Sequence, residues 1–280
     1  MRRVMLAVAG LLLLAPAPEA RAQTADEIVA RYVKTIGGME RLQAIKSLRR
    51  TGKYTGGGGF EAVVVDENRR PGMVRSEFSL QGMTGVYAYD GRTGWKIEPW
   101  NGKKDAEAVG EEELRGLQED SDIDGPLINY KEKGHRLEYM GLEPVEGTDA
   151  HKLKLTLKNG DVSHYFMDTD YFVPIKVERK RMIRGAERES ETTLGDYKEV
   201  AGVYLPHFYE SGQKGSPNKS QVTYAKIEAN VALDEGRFRK PGATGESPTA
   251  PDASETQPRK PEDQKPPAEG PKPPANKPQD

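Results

Sequence analysis

The sequence has no cysteine, and this removes disulfides, thiolate metal ligands and thiol nucleophiles together. It also removes the lipid-attachment cysteine that anchors a bacterial lipoprotein after export, so the mature chain is expected to be soluble and monomeric. Histidine is scarce: His135, His151, His164 and His207 are scattered and match no metal-ligand or metalloprotease spacing, so no metal site is expected. There is no basic excess. The net charge of -2 becomes -4 when three arginines and one glutamate of the first 22 residues are left out, which argues against a nucleic-acid partner. Also missing are a G-x-S-x-G elbow, a Walker loop and a dinucleotide fingerprint; the cluster from Gly56 to Gly59 lacks the later glycine. These absences argue against an enzyme, and no catalytic residue or cofactor is expected. A hydrolase would need a triad assembled only in space.

The two ends of the chain do not read as fold. Residues 1–22 carry Arg2 and Arg3, then an apolar run from Val4 to Leu14, then Ala20-Arg21-Ala22. Eleven apolar residues are too few to cross a bilayer, and the pattern predicts a secretory signal peptide with the mature chain beginning at Gln23, in the periplasm. Residues 241–280 hold eleven of the twenty prolines and no Val, Ile, Leu, Phe, Tyr or Trp. Such a segment buries too little apolar surface to offset its ordering entropy and is expected to be a disordered tail. Residues 23–240 are enough for one domain with a sizeable core.

The rest is laid out around HKLKLTLKNGDVSHYFMDTDYFVPIKVER, from His151 to Arg179. Leu153, Leu155 and Leu157 alternate with Lys152, Lys154, Thr156 and Lys158, the period of two of a half-buried strand. Asn159-Gly160 suits a two-residue type I′ turn. That turn would pair Leu157 with Val162, Leu155 with His164 and Leu153 with Phe166, placing all six on one apolar face. A third strand follows, with Val173, Ile175 and Val177 inward and Pro174 outward, at an edge or a bulge.

Upstream, Thr24-Ala25-Asp26-Glu27 fits a capping box, and Ile28, Val29, Tyr32, Val33 and Ile36 form one helical stripe stopped by Gly37-Gly38. A short helix is expected from Met39 to Ile45. Five strand segments between Leu48 and Pro99 are separated by glycine-bearing corners, which predicts consecutive hairpins. The acidic stretch from Asp105 to Asp120 could form a weak amphipathic helix, with Gly110 and Gly116 inside it. Strands resume after Pro126. The expectation is a mainly β (α+β) fold: a curved antiparallel sheet of about eleven strands, forming an incomplete β-barrel covered by short helices.

Three further features bear on ligand binding. Asp120-Ser121-Asp122-Ile123-Asp124-Gly125 matches the first half of a calcium loop, but Lys131 stands where a bidentate glutamate is required. His164, on the apolar face by the register above, could bond a ligand headgroup or serve as a core histidine. Trp95, Trp100, Tyr87, Tyr89 and the methionines suit a β core and equally an adaptable apolar pocket.

The order of parts resembles a known family. The segments ARYVKTIGGMERLQAIKSLRRTGKY, DIDGPLINYKEKGHRLEYMGLEPVEGTDAHKLKLTLKNGDVSHYFMDTDYFVPIKVERK and LGDYKEVAGVYLPHFYE are similar to periplasmic proteins of the outer-membrane lipoprotein-sorting group (LolA/LolB-like). The resemblance implies an incomplete barrel whose concave apolar face, covered by helices, receives lipoprotein acyl chains or lipid. It also implies an inner-membrane donor and an outer-membrane acceptor. In that picture the binding residues are the inward strand positions Leu153, Leu155, Leu157, Val162, His164 and Phe166. The lid would be Ile28 to Ile36 or the segment from Asp105 to Asp120, and Leu155→Glu would weaken binding without unfolding the chain. The other reading is an envelope structural, interaction or sensor module with a packed core and contacts made by the tail.

Overall fold

The computed structural model describes residues 23–183 and 186–242. The expected signal peptide, and nearly all of the expected tail, lie outside the described residues. Among those described, no helix is long and apolar enough to cross a membrane.

Helix α1 (Ala25–Thr35) starts at the capping box foreseen in the sequence, with Thr24 accepting from the Glu27 amide and Glu27 reaching back. Its stripe buries Ile28, Val29 and the following Ile36. Helix α2 (Met39–Ala44) adds Leu42 and Ile45. Six strands follow: β1 (Ser47–Thr55), β2 (Glu61–Arg69), β3 (Met73–Leu80), β4 (Met83–Tyr89), β5 (Gly94–Glu98) and β6 (Lys103–Ala108). After α3 (Glu111–Asp120) come β7 (Arg136–Val145), β8 (Thr148–Thr156), β9 (Val162–Asp168), β10 (Pro174–Ile183), β11 (Ala186–Val200), β12 (Val203–Gln213) and β13 (Lys219–Ala229).

All thirteen strands form one antiparallel sheet in the order β6-β5-β4-β3-β2-β1-β13-β12-β11-β10-β9-β8-β7. It is two meanders joined at a single seam, β1 against β13, with β6 and β7 as its two edges. At the seam Gly52 lies so close to β13 that a Cβ there would sit 2.2 Å from the Thr223 carbonyl oxygen. The helices pack on one side, α1 over β7–β9 and α3 over β3–β5, and this side is the concave face. The sheet has more strands than the expected eleven. One reason is that Lys103–Ala108, charged at most positions and lacking apolar alternation, forms the edge strand β6. The predicted helix over 105–120 therefore begins only at Glu111, and Gly110 is its N-cap residue rather than an interior weakness.

The central hairpin departs from its expected register by one residue. Leu153 faces Tyr165, Lys154 faces His164, Leu155 faces Ser163 and Lys152 faces Phe166. The reason is the turn. Gly160 alone has positive φ, its amide donates to the Leu157 carbonyl, and Leu157 closes on Asp161, so three residues make the loop. This is a type I turn followed by a glycine bulge, where a two-residue I′ turn was expected. A one-residue slip turns every side chain of the second strand over. Ser163, Tyr165 and Met167 therefore join Leu153 and Leu155 in the core beneath α1, while Val162, His164 and Phe166 lie on the convex face. There Phe166 is covered by Lys152 and Lys176, whose ammonium groups lie 5.2 and 5.6 Å from its ring centre. Pro174 is also corrected: β10 is an interior strand, its bulge falls at Ile175, and Pro174 turns inward opposite Met167.

The convex face is tied by ion pairs. Glu191 receives Lys219 at 2.9 Å and Lys176 at 3.0 Å, and accepts from the Gly215 amide. The hydrogen bond from Lys219, with that from Lys176, outweighs burial and holds its carboxyl down to about 2. A depressed carboxylate contributes stability above its unfolded value of about 4.3, and that contribution is lost as pH falls toward 2. Glu191→Gln should therefore be less stable than the parent at pH 7. The gap in urea midpoint should close between pH 5 and pH 2.

Beyond β13 the chain crosses the convex face of β2–β5. Phe238 is fully buried, its carbonyl accepts from Trp95 Nε1 at 2.7 Å, and Arg237 reaches Glu67 at 2.9 Å. Beneath it, Arg75 and Glu77 pair at 2.8 Å with both side chains 5% exposed.

Candidate functional site

The concave face is filled at one end and hollow in the middle. Under α1 the core is packed: Leu153 and Leu155 are wholly buried, with Ile28, Val29, Leu127 and Tyr130 against them. Toward the seam, the sheet curves away from the segment 120–127, which forms a roof. Two adjoining chambers of about 220 and 390 Å³ lie between them. Together they are within the ~300–1,000 Å³ typical of small-molecule sites. Leu48, Val177, Leu194, Leu205 and Ile227 give the first chamber its apolar wall. The second is bounded by Asp66, Ser76, Thr192, Ser211 and Tyr224. Arg50, Arg179, Asp120 and Tyr209 line both.

The roof is held by polar tethers. Arg70 of the β2–β3 turn donates Nε to the Ile45 carbonyl at 2.8 Å and Nη1 to Asp124 at 2.8 Å. Lys133 pairs with Asp122 and donates to the Gly125 carbonyl at 2.7 Å. These contacts engage two carboxylates of the half-matching calcium loop. Asn68 Nδ2 donates to the Asp120 carbonyl at 2.7 Å, and Asn68 Oδ1 accepts from Arg50. One buried amide thus connects the roof to the cavity wall. Arg70→Ala removes charge-assisted bonds, each contributing roughly 1.5–3 kcal/mol. It should speed amide exchange of residues 121–127 by at least tenfold while exchange of β8 and β9 stays unchanged.

Burial sets the electrostatics inside. Asp120 is raised above the ordinary carboxylate range because burial outweighs the attraction of Arg179 and Arg50. Tyr224 donates its hydroxyl to Asp66 at 2.5 Å, and its ring carries the Arg50 guanidinium 5.6 Å from its centre. Burial raises both Tyr209 and Tyr224, which remain neutral donors.

Of the residues expected to line the site, Leu153 and Leu155 lie in the packed core and Leu157 borders a surface groove with His135 and Lys158. Val162, His164 and Phe166 face away from the concave side, and burial depresses the His164 imidazole. None of the six lines either chamber. The lining residues that sequence reasoning missed were accessible to it. Arg50 is two positions after the inward Leu48, and Arg179 two positions after the inward Val177. Alternation places both on the concave face, but an arginine there runs against the rule that inward strand positions are apolar.

Comparison with known proteins finds likeness in shape alone. No family model matches the sequence, and no curated protein matches it. A domain named for outer-membrane lipoprotein sorting, from Vibrio parahaemolyticus, superposes with a TM-score of 0.54 at 15% identity, covering 77% of this chain and 97% of that one. A LolA superfamily protein from Nitrosomonas europaea gives 0.53 at 12% identity, covering 78% and 99%. A DUF1329 family protein from Desulfovibrio piger gives 0.54 at 11% identity, covering 77% and 97%. At such identities the likeness is one of architecture: the chain has a LolA-like fold, an open antiparallel half-barrel whose concave face is covered by short helices.

Proposed function

We propose that this protein is a non-enzymatic periplasmic carrier that holds a lipid, or the acyl chains of a lipoprotein, against the concave face of its sheet. It would take the cargo from an inner-membrane donor and pass it to an outer-membrane acceptor. The observation that carries this reading is the pair of chambers beneath a roof fastened by side-chain tethers. Such a roof can give way. Each methylene moved from water into the cavity contributes about 0.8 kcal/mol, so a few of them offset the loss of one tether. The fold shared with a lipoprotein-sorting domain and a LolA superfamily protein supports the same reading. The expected binding wall moves to the chamber lining, with Leu48, Val177, Leu194 and Ile227 as its apolar side.

The test is native mass spectrometry of protein purified from its own periplasm without detergent, followed by organic extraction. A co-purifying lipid or acylated peptide is the expected result. An empty mass that persists after incubation with lipid vesicles would overturn carriage in favour of an envelope interaction module.

A further inference from the structure

The charges in the cavity are balanced but not paired. Four carboxylates line the second chamber, and two of them are engaged by cations: Glu119 by Arg181 and Asp122 by Lys133. Asp66 accepts only from the neutral Tyr224 hydroxyl, and Asp120 has no cation within ion-pair distance among the described residues. The guanidinium groups mirror this. Arg50 bonds the neutral Asn68 and rests over Tyr224, and its buried Nε has no hydrogen-bond partner. Arg179 has no carboxylate within ion-pair distance among the described residues. Two cations and two anions therefore share one cavity with no contact ion pair between them among the described residues, attracting one another only at longer range; Tyr209 and Tyr224 lie beside them, their rings meeting edge to face at 5.8 Å.

Unpaired buried charge is costly, and a fold that merely needed a packed interior would replace it with apolar side chains at little loss. Arginine forks match the geometry of a phosphate or carboxylate, and carboxylates with tyrosine faces suit an ammonium group. A ligand with an anion alone would compete with Asp66 and Asp120 for the attraction of Arg50 and Arg179, and a cation alone would compete with the arginines for the carboxylates. We infer that the cavity recognises an amphiphile with a zwitterionic head, its oxyanion held by Arg50 and Arg179 and its ammonium by Asp66 and Asp120. The chain lies along the apolar wall of Leu194, Val177 and Ile227. This rests on the carrier reading above and specifies its cargo.

The test uses the mature full-length protein and three probes with the same lauroyl or dodecyl chain: lauroyl lysophosphatidylethanolamine, dodecyl phosphate and dodecanol. Affinities are measured by titration calorimetry below micelle-forming concentrations. The zwitterion should bind at least tenfold more tightly than dodecanol, the value of about one charge-assisted hydrogen bond. Arg179→Met should weaken the zwitterion and the phosphate about tenfold and leave dodecanol unchanged. Asp120→Asn should weaken the zwitterion but strengthen the phosphate, a crossing of signs that loss of structure cannot produce. Far-UV circular dichroism and a cooperative thermal transition check that Arg179→Met is folded, and a folded variant that binds the zwitterion as tightly as the parent would overturn the proposal. Arg50→Met gives the same reading if Arg179→Met does not fold. Equal affinity for zwitterion and dodecanol would overturn the head-group site and leave carriage standing. No binding of any probe would overturn both. Dodecyl phosphate binding more tightly than the zwitterion would make the site one for anions and overturn the inference.

Discussion

Leu155→Glu will unfold the protein rather than merely empty a binding site. Leu155 is 0% exposed in the cluster that joins β7–β10 to α1, to Leu127 at the end of the roof and to Tyr130 just after it. Replacing a buried leucine by a smaller apolar residue costs about 2–5 kcal/mol. Adding a carboxylate with no hydrogen-bond partner in a packed core costs several kcal/mol more, even when the group protonates. The sum is comparable to a whole-domain stability of about 5–15 kcal/mol. Far-UV circular dichroism and urea titration should find no cooperative transition at 25 °C. A folded variant with an urea midpoint within 1 M of the parent, a shift of roughly 1–3 kcal/mol, would mean that the region under α1 can open and admit water.

Glu77→Ala is the second large effect. It leaves Arg75, 5% exposed and capped by Trp95 at 5.6 Å, without the carboxylate it meets at 2.8 Å, and it removes the nearby partner of Arg237. Breaking a buried pair by removing one member typically costs about 3–5 kcal/mol, because the charge left behind keeps its desolvation penalty. Arg75→Met combined with Glu77→Leu should recover most of the loss, since an apolar pair of similar volume leaves no charge unanswered. Thermal unfolding of the single and double variants decides it: a double variant no more stable than the single would mean that the bond Arg75 donates to the Arg237 carbonyl at 3.1 Å outweighs the relief of the buried charge.

Much of the fold was legible in the sequence because it depends on local rules. The capping box at Thr24, the stripe of α1 and the glycine-marked hairpins each follow from a few neighbouring residues, and each stands where the pattern placed it. Where the reading failed, two local rules competed. Asn159-Gly160 satisfies both a two-residue and a three-residue loop, and only packing of Tyr165 and Met167 beneath α1 selects between them. That single choice moved half of the expected binding residues to the convex face. The cavity was harder still. It depends on Arg50 and Arg179, brought together from β1 and β10 across the curvature of a sheet, and on a roof whose tethers come from Asn68, Arg70 and Lys133. No window of sequence contains that arrangement.

The β1–β13 seam also determines how the molecule must assemble. Every other strand pair joins neighbours along the chain, whereas the Lys46 amide meets the Asn230 side chain across 184 positions. Each arm can condense through short loops, but the seam must close a loop spanning most of the folded residues before it gains anything. It should therefore form after the rate-limiting barrier. Gly52→Ala, whose methyl would crowd the Thr223 carbonyl, should chiefly accelerate unfolding, while substitutions inside either meander slow refolding. The joint that makes the half-barrel continuous is then the one whose loss governs the native state's lifetime.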